Sequence, residues 1–172
     1  MSLFLADTTH EFRRHKMLCD QAMGWLDDAT LIKRPAENLN SVALIVKHLA
    51  GNLKSRWTDF LTSDGDKPDR NRDGEFEWKP EDSRQSLMTA WENGWTILFE
   101  SLASLKADDL DKTIFIRGEP HRVQQAILRG LDHVAYHTGQ ILLVARWLAP
   151  DSPYLTIAPN KSVEHRANYW KT

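Results

Sequence analysis

Residues 123–148, with the sequence VQQAILRGLDHVAYHTGQILLVARWL, form the longest helical pattern in the chain. Apolar side chains recur there every three or four residues, as expected for one face of an α-helix. Pro150 ends the pattern, because proline has no backbone N–H with which to continue a helix. The stretch therefore predicts a long amphipathic helix over Val123–Leu148, with one face in the core.

Three further segments show the same periodicity. They cover about Leu5–Leu26, Val42–Leu61 and Asp82–Leu105. Thr62–Arg84, between the second and third helices, contains 13 charged residues among 23 and is punctuated by glycine and proline. A connection of this length lets sequential helices lie parallel, so we predict an all-α four-helix bundle with a long crossover between helices 2 and 3. Phe76 and Trp78 indicate that the crossover packs against the bundle.

A small β-hairpin is predicted directly before the fourth helix. Its strands are Thr113–Phe115 and His121–Val123, which flank the turn residues Arg117–Pro120. Residues 150–172 form a C-terminal tail, and Tyr154, Leu155 and Trp170 are its candidates for contact with the bundle. The length and the apolar fraction of 41% fit one domain over residues 1–172.

The composition also excludes several classes of function. A formal charge of -2 lacks the basic excess that nucleic-acid binding requires. The run Ile141–Ala149 is far shorter than the roughly 20 residues of a membrane span. Cys19 is the only cysteine, which excludes an intrachain disulfide and a thiolate zinc cluster, and we expect it to be a small buried side chain. With no signal-peptide pattern at the N-terminus, we expect a cytoplasmic protein.

Two histidines interrupt the core-facing stripe of the fourth helix. His133 and His137 are four residues apart, which places both imidazoles on one face, about one turn from each other. Burying polar groups without partners costs roughly 2 to 7 kcal/mol, so both rings need partners. One metal ion bound by both is the first interpretation. Two core histidines bonded to carbonyl groups or water are the alternative.

A third metal ligand has to come from another helix, and His48 is the candidate. It lies in the second helix beside the apolar stripe, on a face that becomes polar toward its C-terminal end. That change of character indicates a pocket. Taken alone, His48 would be an interface histidine. The other four histidines, His10, His15, His121 and His165, have no metal partner in the sequence, and we expect them to be solvated or in loops.

The segment Asp132–Gln140, DHVAYHTGQ, together with Val46–Leu49, VKHL, resembles the DinB-like superfamily of bacterial helical-bundle metalloenzymes, which includes YfiT-type proteins and bacillithiol S-transferases. Residues 47–76, KHLAGNLKSRWTDFLTSDGDKPDRNRDGEF, are more similar to an uncharacterised branch of it than to the transferases. The resemblance implies a four-helix bundle with a divalent metal, zinc or nickel, on three histidines. These roles fall on His48, His133 and His137. The resemblance implies no substrate.

Three polar residues near the predicted ligands are candidates for substrate binding. Asn52 and Arg56 follow His48 by four and eight residues, so both can face the pocket, and Arg56 suits an anionic substrate. The alternative for Arg56 is a surface ion pair with Asp59 or with an acidic residue of the crossover. Gln140 lies one turn beyond His137 and either orients a neighbouring group or serves helix packing.

Three neutral imidazoles leave a divalent ion with open positions, as in catalytic rather than structural zinc sites. Such an ion lowers the pKa of bound water to about 7 or holds a thiolate. We therefore predict a metal-dependent hydrolase or thiol S-transferase that uses water or a low-molecular-weight thiol on a small-molecule substrate. The alternative is a non-catalytic metal-binding or sensing bundle, acting as a homodimer or through a protein partner. Glycine-rich nucleotide-binding motifs and the GxSxG motif do not occur.

Overall fold

A computed structural model describes residues 2–164 of the protein. The α-helices are α1 (Leu3–Gly24), α2 (Asp28–Leu31), α3 (Val42–Trp57), α4 (Arg84–Ser104) and α5 (Val123–Leu148), and the strands are β1 (Thr113–Ile116) and β2 (Glu119–Arg122). Short 3-10 helices cover Asp73–Phe76 and Ala107–Asp109. The four long helices and the hairpin before the last of them confirm the predicted all-α bundle, and α5 has the predicted bounds.

Helix α3 packs against α4 and α5, and α1 packs against α5 and α4. Neighbouring residue pairs show the relative directions: Lys16–Glu92 and Met23–Arg84 for α1 and α4, Phe12–Gly130 and Cys19–Thr138 for α1 and α5, and Trp57–Gly130 and His48–His137 for α3 and α5. Helices α1 and α5 therefore run in one direction, and α3 and α4 run in the other. Because α3 and α4 are parallel, the chain between them has to return along the length of the bundle.

Large aromatic side chains fill the centre of the bundle. Phe12 meets the rings of Trp57 and Trp95 edge to face, and Trp91 is fully buried beside Trp95. Edge-to-face pairs of this kind add about 0.5 to 1.5 kcal/mol each beyond the area that they bury. Cys19 is buried as predicted, and burial raises the pKa of its thiol to about 12. It is therefore a packing residue and not a nucleophile.

The helix ends differ from the predictions at several positions. Ser41 caps α3, with its side chain accepting a hydrogen bond from the Leu44 N–H. Helix α3 ends at Trp57 and not at Leu61, because Thr58 is extended and Asp59 has a φ of 50°. Helix α4 begins at Arg84, two residues later than predicted. The short helix α2 was not predicted at all; its four residues are too few to show a helical period.

The hairpin is antiparallel, with Ile116 opposite Glu119. The second strand is Glu119–Arg122 and not His121–Val123, since Val123 already begins α5. Arg117 and Gly118 form the two-residue turn with φ values of 56° and 73°. Positive φ at both central positions matches the right-handed twist of a hairpin, and Gly118 takes it without steric cost.

The crossover of residues 58–83 packs against the bundle and the hairpin, which confirms the expectation from its aromatic residues. Asp64 accepts hydrogen bonds from the backbone N–H groups of Arg117 and Gly118, each at 2.8 Å. Near its end, Asp82 accepts a hydrogen bond from Lys47 of α3. These contacts fix the first part of the crossover beside the hairpin and its end beside α3.

The described part of the C-terminal tail turns back onto the end of α5. The guanidinium of Arg146 lies over the rings of Tyr154 and Trp25, at 4.1 and 5.3 Å, and Leu155 packs against the core. The predicted contact of Trp170 lies outside the described residues. Over residues 2–164, we find no helix with the length and apolar character needed to cross a membrane.

Candidate metal centre

His48, His133 and His137 meet between α3 and α5. One candidate ligand nitrogen from each lies within 4.8 Å of the others, and the Nε2 atoms of His48 and His133 are 3.3 Å apart. The ring of His137 is centred 5.0 Å from that of His48 and 4.6 Å from that of His133. The structure thus brings together the three histidines that the sequence pattern selected.

Two of the histidines are held through their outer nitrogens. Glu75 Oε2 lies 2.9 Å from His48 Nδ1, and Gln140 Oε1 lies 2.7 Å from His137 Nδ1. Because these oxygens accept hydrogen bonds, each Nδ1 carries a proton and donates it, which leaves a lone pair on each Nε2. Metal-binding histidines commonly have this arrangement, which fixes the tautomer and the ring orientation.

Glu75 belongs to the 3-10 helix of the crossover and is buried against α3. Arg70 forms a two-pronged ion pair with it, with Nε–Oε1 and Nη2–Oε2 distances of 2.8 Å. Burial alone would raise the pKa of Glu75, but hydrogen bonds from His48 and Arg70 lower it below its usual range. The neighbouring ring of Phe76 stacks on His48, with centroids 4.8 Å apart.

Gly51 makes the approach of Glu75 possible. It lies on α3, and a Cβ atom built there would be 2.7 Å from Glu75 Cδ, well inside van der Waals contact. Glycine within a helix costs roughly 1 kcal/mol relative to alanine. Its presence at this position is explained by the buried carboxylate that it admits.

The chemistry of the cluster fits a divalent transition metal. Burial, followed by the nearby His137 and His48, lowers the pKa of His133 to about 3, and burial also lowers that of His137. Both rings are therefore neutral at physiological pH, as metal ligation requires. Neutral imidazole is a preferred ligand of zinc and nickel. Within residues 2–164, His133 Nδ1 is buried without a hydrogen-bond partner.

A cavity of about 230 Å³ opens beside the cluster. It is lined by His48, His133, Asn52, Arg56, Arg70, Arg72, Ile116, Arg117, Ala126, Arg129 and Gly130. The predicted substrate-binding residues Asn52 and Arg56 are thus in its wall. Gln140 does not line the cavity, and its Oε1 contacts His137 Nδ1 instead.

Within residues 2–164, Arg56 forms the alternative ion pair neither with Asp59 nor with an acidic residue of the crossover. Among the described residues its buried Nη1 has no hydrogen-bond partner, and no carboxylate lies within 4.0 Å of its guanidinium. Burial, with repulsion from Arg129 and Arg70, lowers the pKa of Arg56 to about 10. The side chain still carries its positive charge at neutral pH and faces the cavity.

Sequence reasoning missed Glu75, Arg70 and Gly51. Glu75 is one of 13 charged residues in the predicted crossover, and no local spacing distinguishes it from the others. The one available signal was Phe76, since a residue next to an aromatic anchor has to lie close to the bundle.

The remaining histidines stay outside the cluster. His10 is exposed and His15 is partly buried, both within α1. The expectation that His121 is solvated or in a loop was wrong, because it is buried in β2, where its Nε2 accepts a hydrogen bond from Arg129 at 2.8 Å. His165 lies outside the described residues.

A comparison with known protein families gives a match over nearly the whole chain. A family model described as "Protein of unknown function (DUF1572)" matches residues 1–161. The chain belongs to this family. DUF1572 is a member of the DinB-like superfamily, so the resemblance carried by the histidine motif is confirmed at that level. No curated protein matches the chain.

Proposed function

We propose that the protein is a metal-dependent enzyme that binds one divalent ion, zinc or nickel, on His48, His133 and His137. Its reaction is hydrolysis or thiol transfer on a small substrate. The observation that carries this proposal is the position of the cavity, because His48 and His133 both line it. A ligand in the cavity is therefore next to the histidine nitrogens. A purely structural metal site would be closed on all sides.

The protein's own side chains hold the site in a binding-ready form. Glu75 and Gln140 keep the protons of His48 and His137 on the outer nitrogens, so that the inner nitrogens have lone pairs available for a metal ion. When bound, a divalent ion there supplies a Lewis acid that activates water or a low-molecular-weight thiol as a nucleophile. Asn52 and Arg56 bind and orient the substrate from the cavity wall.

Membership of the DinB-like superfamily supports thiol transfer as one of the two proposed reactions. The motif around His133 and His137 resembles that of YfiT-type proteins and bacillithiol S-transferases, and the chain is shown to be DinB-like. The cavity also suits small reactants, since about 230 Å³ is below the usual range of drug-sized pockets. Hydrolysis, with water as the nucleophile, is the second proposed reaction.

The test begins with metal analysis of the purified protein, without added metal, by mass spectrometry. We expect about one divalent ion per chain, and we expect His137→Ala to lose it. His10→Ala is the matched control, since it removes an exposed histidine from another helix. Circular dichroism should show unchanged helix content in both variants, because the apolar core dominates folding. Equal metal content in the two variants would overturn the ligand assignment.

Metal-loaded protein is then assayed with several thiols and electrophiles, and with hydrolysable esters and amides. We expect turnover that disappears in His137→Ala and persists in His10→Ala. Full metal occupancy with no reaction in any assay would favour the non-catalytic metal-binding or sensing bundle.

A further inference from the structure

The cavity beside the histidines is strongly cationic. Five of its eleven lining residues are arginines, and none of the described lining residues is acidic. The arginines come from four different parts of the fold, namely α3, the crossover, the hairpin turn and α5: Arg56, Arg70, Arg72, Arg117 and Arg129. The concentration is local, since the whole chain has a formal charge of -2.

Two of these arginines are neutralised by carboxylates. Arg70 pairs with Glu75, and Arg117 Nε lies 3.0 Å from an oxygen of Asp66. Their charges are used in holding the crossover and the hairpin in place. These two arginines form part of the cavity wall, but their paired charges are little available to a ligand.

The other three arginines have no carboxylate partner among residues 2–164. Arg56 has none within 4.0 Å, Arg129 donates to the imidazole of His121, and Arg72 lies over the ring of Phe76 at 5.5 Å. Arg56 is the deepest of the three, while Arg72 and Arg129 are exposed at the mouth. A ligand entering the cavity therefore meets guanidinium groups at the mouth and at depth.

Gathering like charges in a half-enclosed space costs free energy unless a counter-charge is present. The lowered pKa of Arg56, caused by burial and then by Arg129, reflects that cost. A carboxylate offers two oxygens and one negative charge. A phosphate monoester offers three oxygens and up to two charges, which better matches three guanidinium forks.

We propose that the cavity binds a small phosphorylated compound, with its phosphate group on Arg56, Arg72 and Arg129 and its remaining part beside His48 and His133. The assignment of this compound as the substrate rests on the proposed function, whereas the phosphate site itself stands without it. The cavity volume of about 230 Å³ limits the ligand to a phosphate with a short organic group.

Isothermal titration with inorganic phosphate, at constant ionic strength, tests the site. We expect saturable binding at one site per chain, weakened roughly tenfold or more by Arg56→Gln and by Arg129→Gln. Arg34→Gln is the matched control, because it removes the same charge from an exposed residue outside the cavity. If Arg34→Gln weakened phosphate binding equally, the effect would be one of general electrostatics, and the proposed site would be wrong. The site would also be wrong if Arg56→Gln left the phosphate affinity unchanged.

The nature of the anion is tested with methyl phosphate and succinate. We expect methyl phosphate to bind within a few-fold of inorganic phosphate and succinate to bind at least about tenfold more weakly. Binding of inorganic phosphate without methyl phosphate would overturn the assignment to a phosphorylated compound. Succinate binding as tightly as phosphate would overturn the preference for phosphate over carboxylate.

Titration of metal-free His137→Ala separates this proposal from the metal site. His137 does not line the cavity, so we expect that variant to bind phosphate nearly as the wild type does. Loss of phosphate binding together with the metal would mean that phosphate is only a metal ligand, and would overturn the arginine site. Retained phosphate binding in a wild-type protein that takes up no metal would instead refute the proposed function and leave the arginine site intact.

Discussion

The two halves of the histidine cluster are held in different ways. On α5, His137 is oriented by Gln140, three residues further along the same helix. On α3, His48 is oriented by Glu75, which lies 27 residues away in the crossover and is itself held by Arg70. The α5 half is thus a property of one helix, whereas the α3 half depends on the docking of a long irregular segment.

The chemistry of the two contacts also differs. Gln140 accepts a hydrogen bond as a neutral amide, but Glu75 accepts it as a buried carboxylate. A hydrogen bond to a charged acceptor is roughly twice as strong as one between neutral groups, and it increases the basicity of the ring. We therefore infer that metal affinity is more sensitive to changes in the crossover than to changes beside His137.

Among changes beside the two halves of the cluster, replacement of Glu75 should have the largest effect on metal affinity. Glu75→Gln keeps the shape of the side chain and removes its charge, so we expect metal affinity to fall by about 10- to 100-fold. Competition with a chromogenic chelator measures the affinity. Glu77→Gln, an exposed change two residues away in the crossover, should leave it unchanged. Equal affinities in the two variants would contradict the special role of the α3 half.

A methyl group on Gly51 should have a smaller effect in the same direction. Gly51→Ala places a Cβ against the carboxylate of Glu75, so we expect about tenfold weaker metal binding, with helix content retained. The matched background is Glu75→Ala, in which the space is empty. There Gly51→Ala should change the affinity little, since the two positions act through one contact. Additive effects in the double variant would show that Gly51 acts in another way.

The smallest effect is expected on α5. Gln140→Ala removes one neutral hydrogen bond worth about 1 kcal/mol, so metal affinity should fall by roughly fivefold. Gln125→Ala, an exposed glutamine on the same helix, is the control and should have no effect. The same chelator competition applies. A loss as large as that of Glu75→Gln would mean that the two halves are equally important.

The difference between the α5 half, which is held within one helix, and the α3 half, which is held by the crossover, also determined how much could be predicted from the sequence. His133, His137 and Gln140 share one helical face, so the 3.6-residue period alone placed them together. His48 was found because it lies beside an apolar stripe, on a helix face that becomes polar, and because it matches a family pattern. Glu75 and Arg70 lie in an irregular segment, where side-chain directions depend on tertiary contacts and follow no period. The three arginines without a carboxylate partner come from separate elements of the fold. Only Arg56 could be predicted as a substrate-binding residue, because it follows His48 by eight residues on the same helix.

The parallel arrangement of α3 and α4 has a consequence for the order of folding. The hairpin and α5 are contiguous in the chain and form through local contacts, on a scale of about microseconds. His48 meets His133 across 85 residues, and Glu75 reaches His48 only when the returning segment has docked. Contacts that close such long loops form late because the chain entropy has to be lost first. In a refolding experiment, we therefore expect the helical circular dichroism signal to recover before the ability to capture metal.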